Sequence, residues 1–541
     1  MLKNMRYHRE AIQSMAEGIL LVCNLLEKTY GPHGRGVVVE NTSNSVVITR
    51  NSQIILENFS CEDRYINEGV QLVKEAVFNM CEQMGDGSVL TALLVKGMVL
   101  EGLKYLEAGI SPVYMRGGLK KALLEIEIQI ASHTVTIKNT EELMKGVKAA
   151  CRDYDIATMA VQAYQKISKE GVVLVKPTKR VECYMEIEEG MQIKQGYLSP
   201  VFCEKGKDTI IYHNAYILVT DKSISDFTSL LPLLEQIMKD TRPLLIISED
   251  VTKEALVMLL HNVSRGVFKV AAIKAEGYKK RKSDLLDDIA VFTGAKILRE
   301  DMEDMLEDST LSMLGQADEI VVTKSDTTII GGKGEKWKIV NQVKEIQLKL
   351  EDDKTTVYDK EKYRERIGRL QSGVATLYAG GRTSQEIREN KQEMETAVKA
   401  ARNIFEGGML PGGGSFLYHM VGVLEEMNVA NQERYGVSLL KRACTIPFKT
   451  LLCNSGEDFS IYEDIINSHK KTFSLGYHVE IGEVVDMVST GIMDSSIVIQ
   501  MALRQAVSVV YEWLDCMVLM VSVAPDREDM ELMKQGVPIM W

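Results

Sequence analysis

Short β-rich runs and apolar helical runs alternate through residues 215–292, inside a chain that reads as helical at both ends. The β-rich runs fall at 215–220, 244–248 and 268–274, and the helical runs at 227–238, 253–263 and 283–292. Side chains repeat every second residue in a strand and every 3.6 in a helix, so a regular switch between the two marks an α/β layer with its own sheet. A string of independent domains does not explain helical material on both sides of such a layer. Insertion of one domain within another does, and 541 residues suffice for about three to five domains.

Ahead of the layer, Ile12, Met15, Ile19, Leu20 and Leu26 keep helical spacing over residues 11–29, which end at the breaker Tyr30-Gly31-Pro32. Strands are expected at 37–40 and 46–49, with Asn41-Thr42-Ser43-Asn44 as a hairpin turn. Helical patterns then cover 67–132, broken at Gly85-Asp86-Gly87 and at 109–112. Beyond the layer, residues 319–330 precede Gly331-Gly332-Lys333-Gly334, and charged helical segments cover 335–369. A further helix is expected over 384–406. Gly412-Gly413-Gly414 opens a last helical region, and residues 516–523 suit a closing strand.

Charge and cysteine usage exclude several classes. The formal charge is −12 and the one basic run is Lys279-Lys280-Arg281-Lys282, read as the solvated start of a helix, so no nucleic-acid partner is expected. The apolar stretch 497–523 is interrupted by Arg504, Glu512 and Asp515 and is too charged for a membrane span. The opening MLKNMRYHRE has no apolar signal core. Nine cysteines stand singly with no Cys-x-x-Cys pair, which suits reduced thiols and a cytoplasmic location.

Three glycine-rich turns are candidate sites. In Gly85-Asp86-Gly87-Ser88 the glycines permit close backbone approach, Asp86 can hold Mg²⁺, and the helix that Ser88 opens offers free N–H groups to phosphate. The same tetrad also serves as a plain turn and N-cap. Gly31-Pro32-His33-Gly34, with the Thr29 hydroxyl beside it, and Gly412-Gly413-Gly414 carry the same two readings. In the α/β layer, Phe227, Leu230, Leu231, Leu233, Leu234, Ile237 and Met238 cover more of a helix than one packed face needs. Leu256, Val257, Met258, Leu259, Leu260 and Val263 do the same. Such an excess is either buried by another layer or exposed as an adhesive patch.

From about Arg6 to Ala524 the chain resembles a group I, GroEL-type chaperonin, of which it looks like a diverged member. The resemblance is carried by Glu189-Gly190-Met191-Gln192, Gly196-Tyr197-Leu198-Ser199-Pro200, Pro243-Leu244-Leu245-Ile246-Ile247-Ser248-Glu249-Asp250, Lys269-Val270-Ala271-Ala272, Asp326-Thr327-Thr328-Ile329-Ile330 and Gly412-Gly413-Gly414. It implies a multidomain α and α/β fold. The equatorial domain, all-α, comes from 1–133 and 407–541. The intermediate domain, small and α/β, comes from 134–188 and 371–406. The apical α/β domain is 189–370, with Gly190 at a hinge. It further implies seven-fold rings, ATP with Mg²⁺, unfolded polypeptide clients and a GroES-type co-chaperonin. By the resemblance, Thr29, Tyr30, Gly31, Pro32, Arg50, Asp86, Gly87, Ser88, Val89, Leu90, Gly413 and Asp494 line the nucleotide, with Asp86 on the metal. Tyr197, Phe202, Leu231, Leu234, Leu256, Leu260 and Asn262 touch clients or the lid.

The chain also departs from the family. Arg50 replaces a lysine, and Ser88, Val89 and Leu90 replace three threonines. His478-Val479-Glu480 replaces the segment near the adenine, and His261 and Val201 replace apolar and aromatic residues. The family's Gly-Gly-Met tail is absent. Two aspartates used in hydrolysis are replaced by Asn51 and Thr396. Glu395 sits about 100° round the helix and substitutes poorly. Neither Asn nor Thr accepts a proton at neutral pH, and a missing general base costs about 10²- to 10⁴-fold in rate. The expected function is a client-binding ring subunit that binds ATP and hydrolyses it weakly. The alternative is a non-catalytic partner or scaffold that co-assembles with an ordinary chaperonin. An enzyme built on the α/β layer is disfavoured, because no strand end there carries a nucleophile–base pair.

Overall fold

The computed structural model describes residues 3–40, 46–137, 140–151, 153–167, 171–204, 206–275, 277, 280–300, 305–351, 356–459 and 473–522. The expected turn at Asn41-Thr42-Ser43-Asn44 and the chain end after Ser522 lie outside the described residues. Strand β1 (Lys3–Tyr7) leads into helix α1 (His8–Glu27), the ribbon of β2 (Val37–Glu40) and β3 (Val46–Thr49), and helices α2 (Ser52–Glu57), α3 (Arg64–Gln83), α4 (Ser88–Glu107), α5 (Pro112–His133), α6 (Thr140–Ala150) and α7 (Tyr154–Lys166). The middle runs β4 (Val172–Pro177), β5 (Tyr184–Ile193), β6 (Ile210–Val219), β7 (Ser223–Ile224), α8 (Leu231–Asp240), β8 (Leu244–Ser248), β9 (Asp250–Val251), α9 (Lys253–Ser264), β10 (Val270–Lys274) and α10 (Lys280–Thr293). It continues with β11 (Gly315–Val322), β12 (Thr327–Gly332), α11 (Lys336–Glu351), α12 (Val357–Gln371), β13 (Gly373–Ala379) and α13 (Ser384–Gly407). The last part holds β14 (Met409–Pro411), α14 (Ser415–Glu426), α15 (Arg434–Ser455), β15 (Leu475–His478), β16 (Glu483–Asp486), β17 (Met493–Ser495), the helix Ser496–Asp515 and β18 (Val518–Ser522).

Two compact units result: Met1–Val161 with Glu395–Trp541, and Gln162–Met394. The core of the first unit is helical. Helix α4 is apolar on all sides and buries Leu93, Leu94, Val95, Met98 and Val99 completely, which makes it the central helix of the bundle. Helices α1 and α3 pack backbone to backbone at Gly18 and Gly69. A Cβ there would stand 1.9 Å from Ile66 O and 2.1 Å from Met15 O. Trp513 fills the other side of the core and donates its indole N–H to Ile12 O at 3.0 Å.

In the second unit, eight of the described strands form one sheet in the order β10-β8-β6-β11-β12-β5-β13-β4. Strands β6, β8 and β10 are successive parallel neighbours. Right-handed crossovers between them put α8 and α9 on the same face. Strand β5 changes partner along its length: Tyr184 to Glu189 pair with β13, and Gly190 to Ile193 pair with β12. The exchange falls at Gly190, where a Cβ would stand 2.3 Å from Val374 Cγ2.

A buried ion pair fastens α12 to α10. Arg366 of α12 donates to both carboxylate oxygens of Asp288 of α10, at 2.9 and 2.7 Å, and contacts Asp284 at 2.8 Å. Asp288 is fully buried; desolvation pushes its carboxyl above the usual range, against the pull of Arg366. Removing the partner of such a pair costs about 3–5 kcal/mol, because the remaining charge stays buried and uncompensated. We therefore expect Arg366→Met to lower the thermal midpoint of this unit and to speed amide exchange in α10 and α12. The loss shrinks as pH falls through the raised range of this carboxyl, because protonation then neutralises Asp288. A small, pH-independent loss would contradict this reading.

Candidate functional site

In the first unit, three loops that are far apart in sequence converge. The loop after α1 contains Thr29, Tyr30, Gly31 and Pro32. Arg50 donates through one guanidinium nitrogen to the carbonyls of Thr29, at 3.1 Å, and Gly31. The buried Thr29 hydroxyl donates to Leu26 O at 2.7 Å. Asn51 next to it is the N-cap of α2: its side-chain oxygen accepts from the N–H groups of Gln53 (2.8 Å) and Ile54 (3.2 Å). Asparagine and aspartate cap about equally well. The residue at this position therefore keeps its structural role while lacking the negative charge. Ser52 then joins its hydroxyl to that of Ser88 at 2.8 Å, bringing the start of α2 to the start of α4.

Gly87 sits at the N-cap of α4 with φ +78°, and Gly414 at the N-cap of α14 with φ +72°. Neither cap supplies a side-chain hydrogen bond, so both helices start with first-turn N–H groups and a positive dipole end that favour an anion. Val89 and Leu90, two of the expected phosphate contacts, pack against or within the helical core. They face the site through their backbone only.

Between these helix starts lie two carboxylates. Asp86 is exposed, yet desolvation is the largest cause raising its carboxyl above the usual range, opposed by the Gly87 N–H at 2.6 Å. The two observations fit a group on the floor of a concavity, surrounded by protein and open to water on one side. Asp494, half-buried, is pushed up to about 7, by desolvation first and then by the charge of Asp86, with the Gly413 N–H opposing. The Tyr30 phenol is raised by desolvation and then by Asp494 and Asp86. Tyr30, Asp86, Gly413 and Asp494 thus share one electrostatic environment. Among the described residues no three His, Cys, Asp or Glu side chains converge as a closed metal cage. One or two carboxylates beside a phosphate site are, however, the donor set that Mg²⁺ takes.

Helix α13 docks on this site through one face. Lys399 donates to the carbonyls of Cys81 (3.1 Å) and Glu82 (2.9 Å), and Asn403 to that of Met84 (2.9 Å). These carbonyls end α3, where helices lack internal donors. A Cβ on Gly85 would stand 2.8 Å from Lys399 Cδ, so glycine is needed for this approach. Thr396 and Glu395 lie three and four residues before Lys399, both within one turn of it, and point about 100° apart from each other. Sequence reasoning missed Ser52, Lys399 and Asn403, because their partners are distant in sequence. His478 starts the hairpin loop at 478–483, where its ring nitrogen accepts from the Glu480 N–H at 3.3 Å; Val479 packs beside Tyr418 and Tyr477.

In the second unit, the apolar excess of α8 and α9 is partly exposed. Leu233, Leu234 and Ile237 face the core from α8, and Ala255 and Leu259 from α9. Left outside are Val201, Leu231, Met238, Val257 and Met258, with Val257 63% exposed. Tyr197, Leu256, Leu260 and Asn262 are half-buried, and His261 is exposed. Two expected surface residues need correction. Phe202 and Leu234 are 4% and 2% exposed. The turn Pro200–Phe202 rotates Phe202 inward, and Leu234 belongs to the core-facing stripe of α8.

Because its folded-state carboxyl is raised, Asp494 favours folding most when protonated, and that contribution is lost as pH rises through about 7. In nucleotide-free protein we expect an infrared band of protonated carboxyl, absent in Asp494→Asn, to disappear with a midpoint near pH 7. Asp86→Asn lowers that midpoint by removing the like charge. A midpoint near pH 4 would show that the two carboxylates do not share a cleft.

Two comparisons bear on this site. The sequence pattern of the TCP-1/cpn60 chaperonin family matches residues 22–522. Among solved structures, the chaperonin gp146 from bacteriophage EL 2 (Pseudomonas aeruginosa), crystallised in the presence of ATP-BeFx, is similar. It superposes with a TM-score of 0.74 and 18% identity, over 96% of this chain and 99% of that one. The chain belongs to the TCP-1/cpn60 chaperonin family.

Proposed function

We propose that this protein is a ring-forming chaperonin subunit that binds ATP with Mg²⁺, hydrolyses it slowly and captures unfolded polypeptides. The observation that carries the reading is the Asp86–Asp494 pair, set between the uncapped starts of α4 and α14 in a chain of this family. The helix N-termini take the phosphates, and the carboxylate of Asp86 takes the cation, which neutralises phosphate charge. The solved phage chaperonin crystallised in the presence of an ATP analogue supports a nucleotide at this site.

The slow step follows from two side chains. Asn51 spends its oxygen on capping α2, and Thr396 stands on α13, the helix whose Lys399 and Asn403 grip the turn before Asp86. Neither removes a proton from water at neutral pH, so turnover falls about 10²- to 10⁴-fold below that of a site with a base. Steady-state phosphate release by purified assemblies tests this. Asn51→Asp with Thr396→Asp should raise turnover at least about tenfold while leaving ATP affinity within a few fold. Wild-type turnover equal to that of the double variant would overturn the lost-base argument. Co-purification of the wild type with an ordinary chaperonin, without homomeric rings, would favour a non-catalytic partner instead.

Assembly and capture rest on exposed apolar surface. The β2–β3 ribbon exposes Val38, Val46 and Ile48, and the β1–β18 ribbon exposes Met5, Tyr7, Val518 and Met520. A two-stranded ribbon is marginal alone, and pairing between copies completes both. Val201, Leu231, Val257 and Met258 form the client surface; they carry it in place of Phe202 and Leu234. We expect Val257→Ser with Met258→Ser to keep the sedimentation of the wild-type assembly but to lose suppression of aggregation of a denatured client. Val38→Glu with Ile48→Glu should yield single subunits. Unchanged aggregation suppression in the first variant, or unchanged sedimentation in the second, would refute the corresponding surface.

A further inference from the structure

The loop that follows α1 has an unusually complete hydrogen-bond account. Leu26 O accepts from the Thr29 N–H (3.0 Å) and the Thr29 hydroxyl (2.7 Å). Glu27 O accepts from the Tyr30 N–H (3.3 Å) and from Asn454 Nδ2 (2.9 Å). Lys28 O accepts from the Arg35 N–H at 2.7 Å. Thr29 O accepts from Arg50, and Tyr30 O from the same Asn454 Nδ2 at 3.0 Å. Gly31 O accepts from the Gly34 N–H (3.1 Å) and from Arg50. Every carbonyl from Leu26 to Gly31 therefore has a protein donor, and the donors foreign to the loop come from two side chains. Arg50 approaches from the strand side. Asn454 approaches from the last turn of α15, more than 420 residues away in sequence.

We propose that Asn454 is a positioning residue of the nucleotide site, which together with Arg50 clamps the 26–31 loop into its binding shape before nucleotide arrives. This rests on the reading of that loop as the phosphate-side wall of an ATP site. The last carbonyls of α1 have no donor inside the helix. Without Asn454, the Glu27 oxygen keeps only the long bond from the Tyr30 N–H, the Tyr30 oxygen must find water or turn elsewhere, and the loop samples other conformations. A carboxamide donates to both oxygens at once. A carboxylate of the same shape at this position offers only acceptors and repels them. Arg50 has the matching role on the other flank: one nitrogen of its guanidinium donates to two carbonyls that are two residues apart. Asn454 itself donates its amide to carbonyls and so acts on nucleotide through the loop.

A pre-ordered loop has a kinetic signature. If removing the clamp leaves only a fraction of molecules competent, apparent affinity falls by that fraction. The association rate falls with it, while dissociation from the closed loop is unchanged. The experiment uses the full-length assembly, stopped-flow binding of Mg-ATP, and hydrogen–deuterium exchange of the nucleotide-free protein. Asn454→Asp is expected to accelerate exchange in residues 28–34. It should also weaken Mg-ATP binding about tenfold or more, the effect of losing two hydrogen bonds, with the loss in the association rate. Arg50→Met should do the same, and the two effects should combine less than additively because they act on one loop. Should Asn454→Asp not fold, Asn454→Ala and Arg50→Met carry the same comparison. Wild-type exchange in residues 28–34, or a loss confined to the dissociation rate, would overturn the clamp. Wild-type protein that binds no Mg-ATP yet shows the exchange difference would leave the clamp standing and sink the nucleotide reading.

Discussion

The charge of Asp86 raises the carboxyl of Asp494, and desolvation raises both, in a cleft where protein displaces much of the water. Everything else at the site can be understood as the cost of, or the answer to, that pair. Like carboxylates under partial desolvation are unstable as two anions, and they are relieved by a proton or by a cation. The backbone around them favours an anion. The starts of α4 and α14 are left without side-chain caps, and positive-φ glycines form both turns. The loop beyond α1 has its carbonyls taken up by protein donors. A site of this kind is pre-formed rather than assembled around its ligand, which limits the ordering cost of binding.

The same geometry explains why losing acids need not mean losing structure. Asn51 keeps the cap that starts α2, and Ser52 then reaches Ser88. Thr396 lies on a helix face whose attachment is made by Lys399 and Asn403, not by residue 396. Both positions are thus free to vary in charge without dismantling the fold.

Much of this was legible in the sequence where local rules decide. The strands at 37–40 and 46–49, the break at Gly85-Asp86-Gly87 and the alternation over 244–274 all follow from periodicity and turn residues, and they stand where those rules put them. The strands β4, β5 and β13 were not seen. β5 carries charged, exposed positions such as Glu186, Glu188 and Glu189, and β13 lies about 200 residues from its partners. The inward turn of Phe202 depends on the turn Pro200–Phe202, and the burial of Leu234 on the phase of α8 against the sheet. Hydrophobicity alone does not fix either. Asn454 left no sequence signal, because nothing local to Asn454-Ser455-Gly456 points to a loop at the other end of the chain.

The account's central claim is a retained nucleotide site with a weakened motor, and a structure of the protein incubated with hydrolysable ATP and Mg²⁺ tests it most directly. The account predicts intact ATP at the starts of α4 and α14, its metal on Asp86, and its γ-phosphate still present after an incubation over which the Asn51→Asp, Thr396→Asp variant has turned over its ATP. ADP at full occupancy, or a site without nucleotide at saturating ATP, would contradict it.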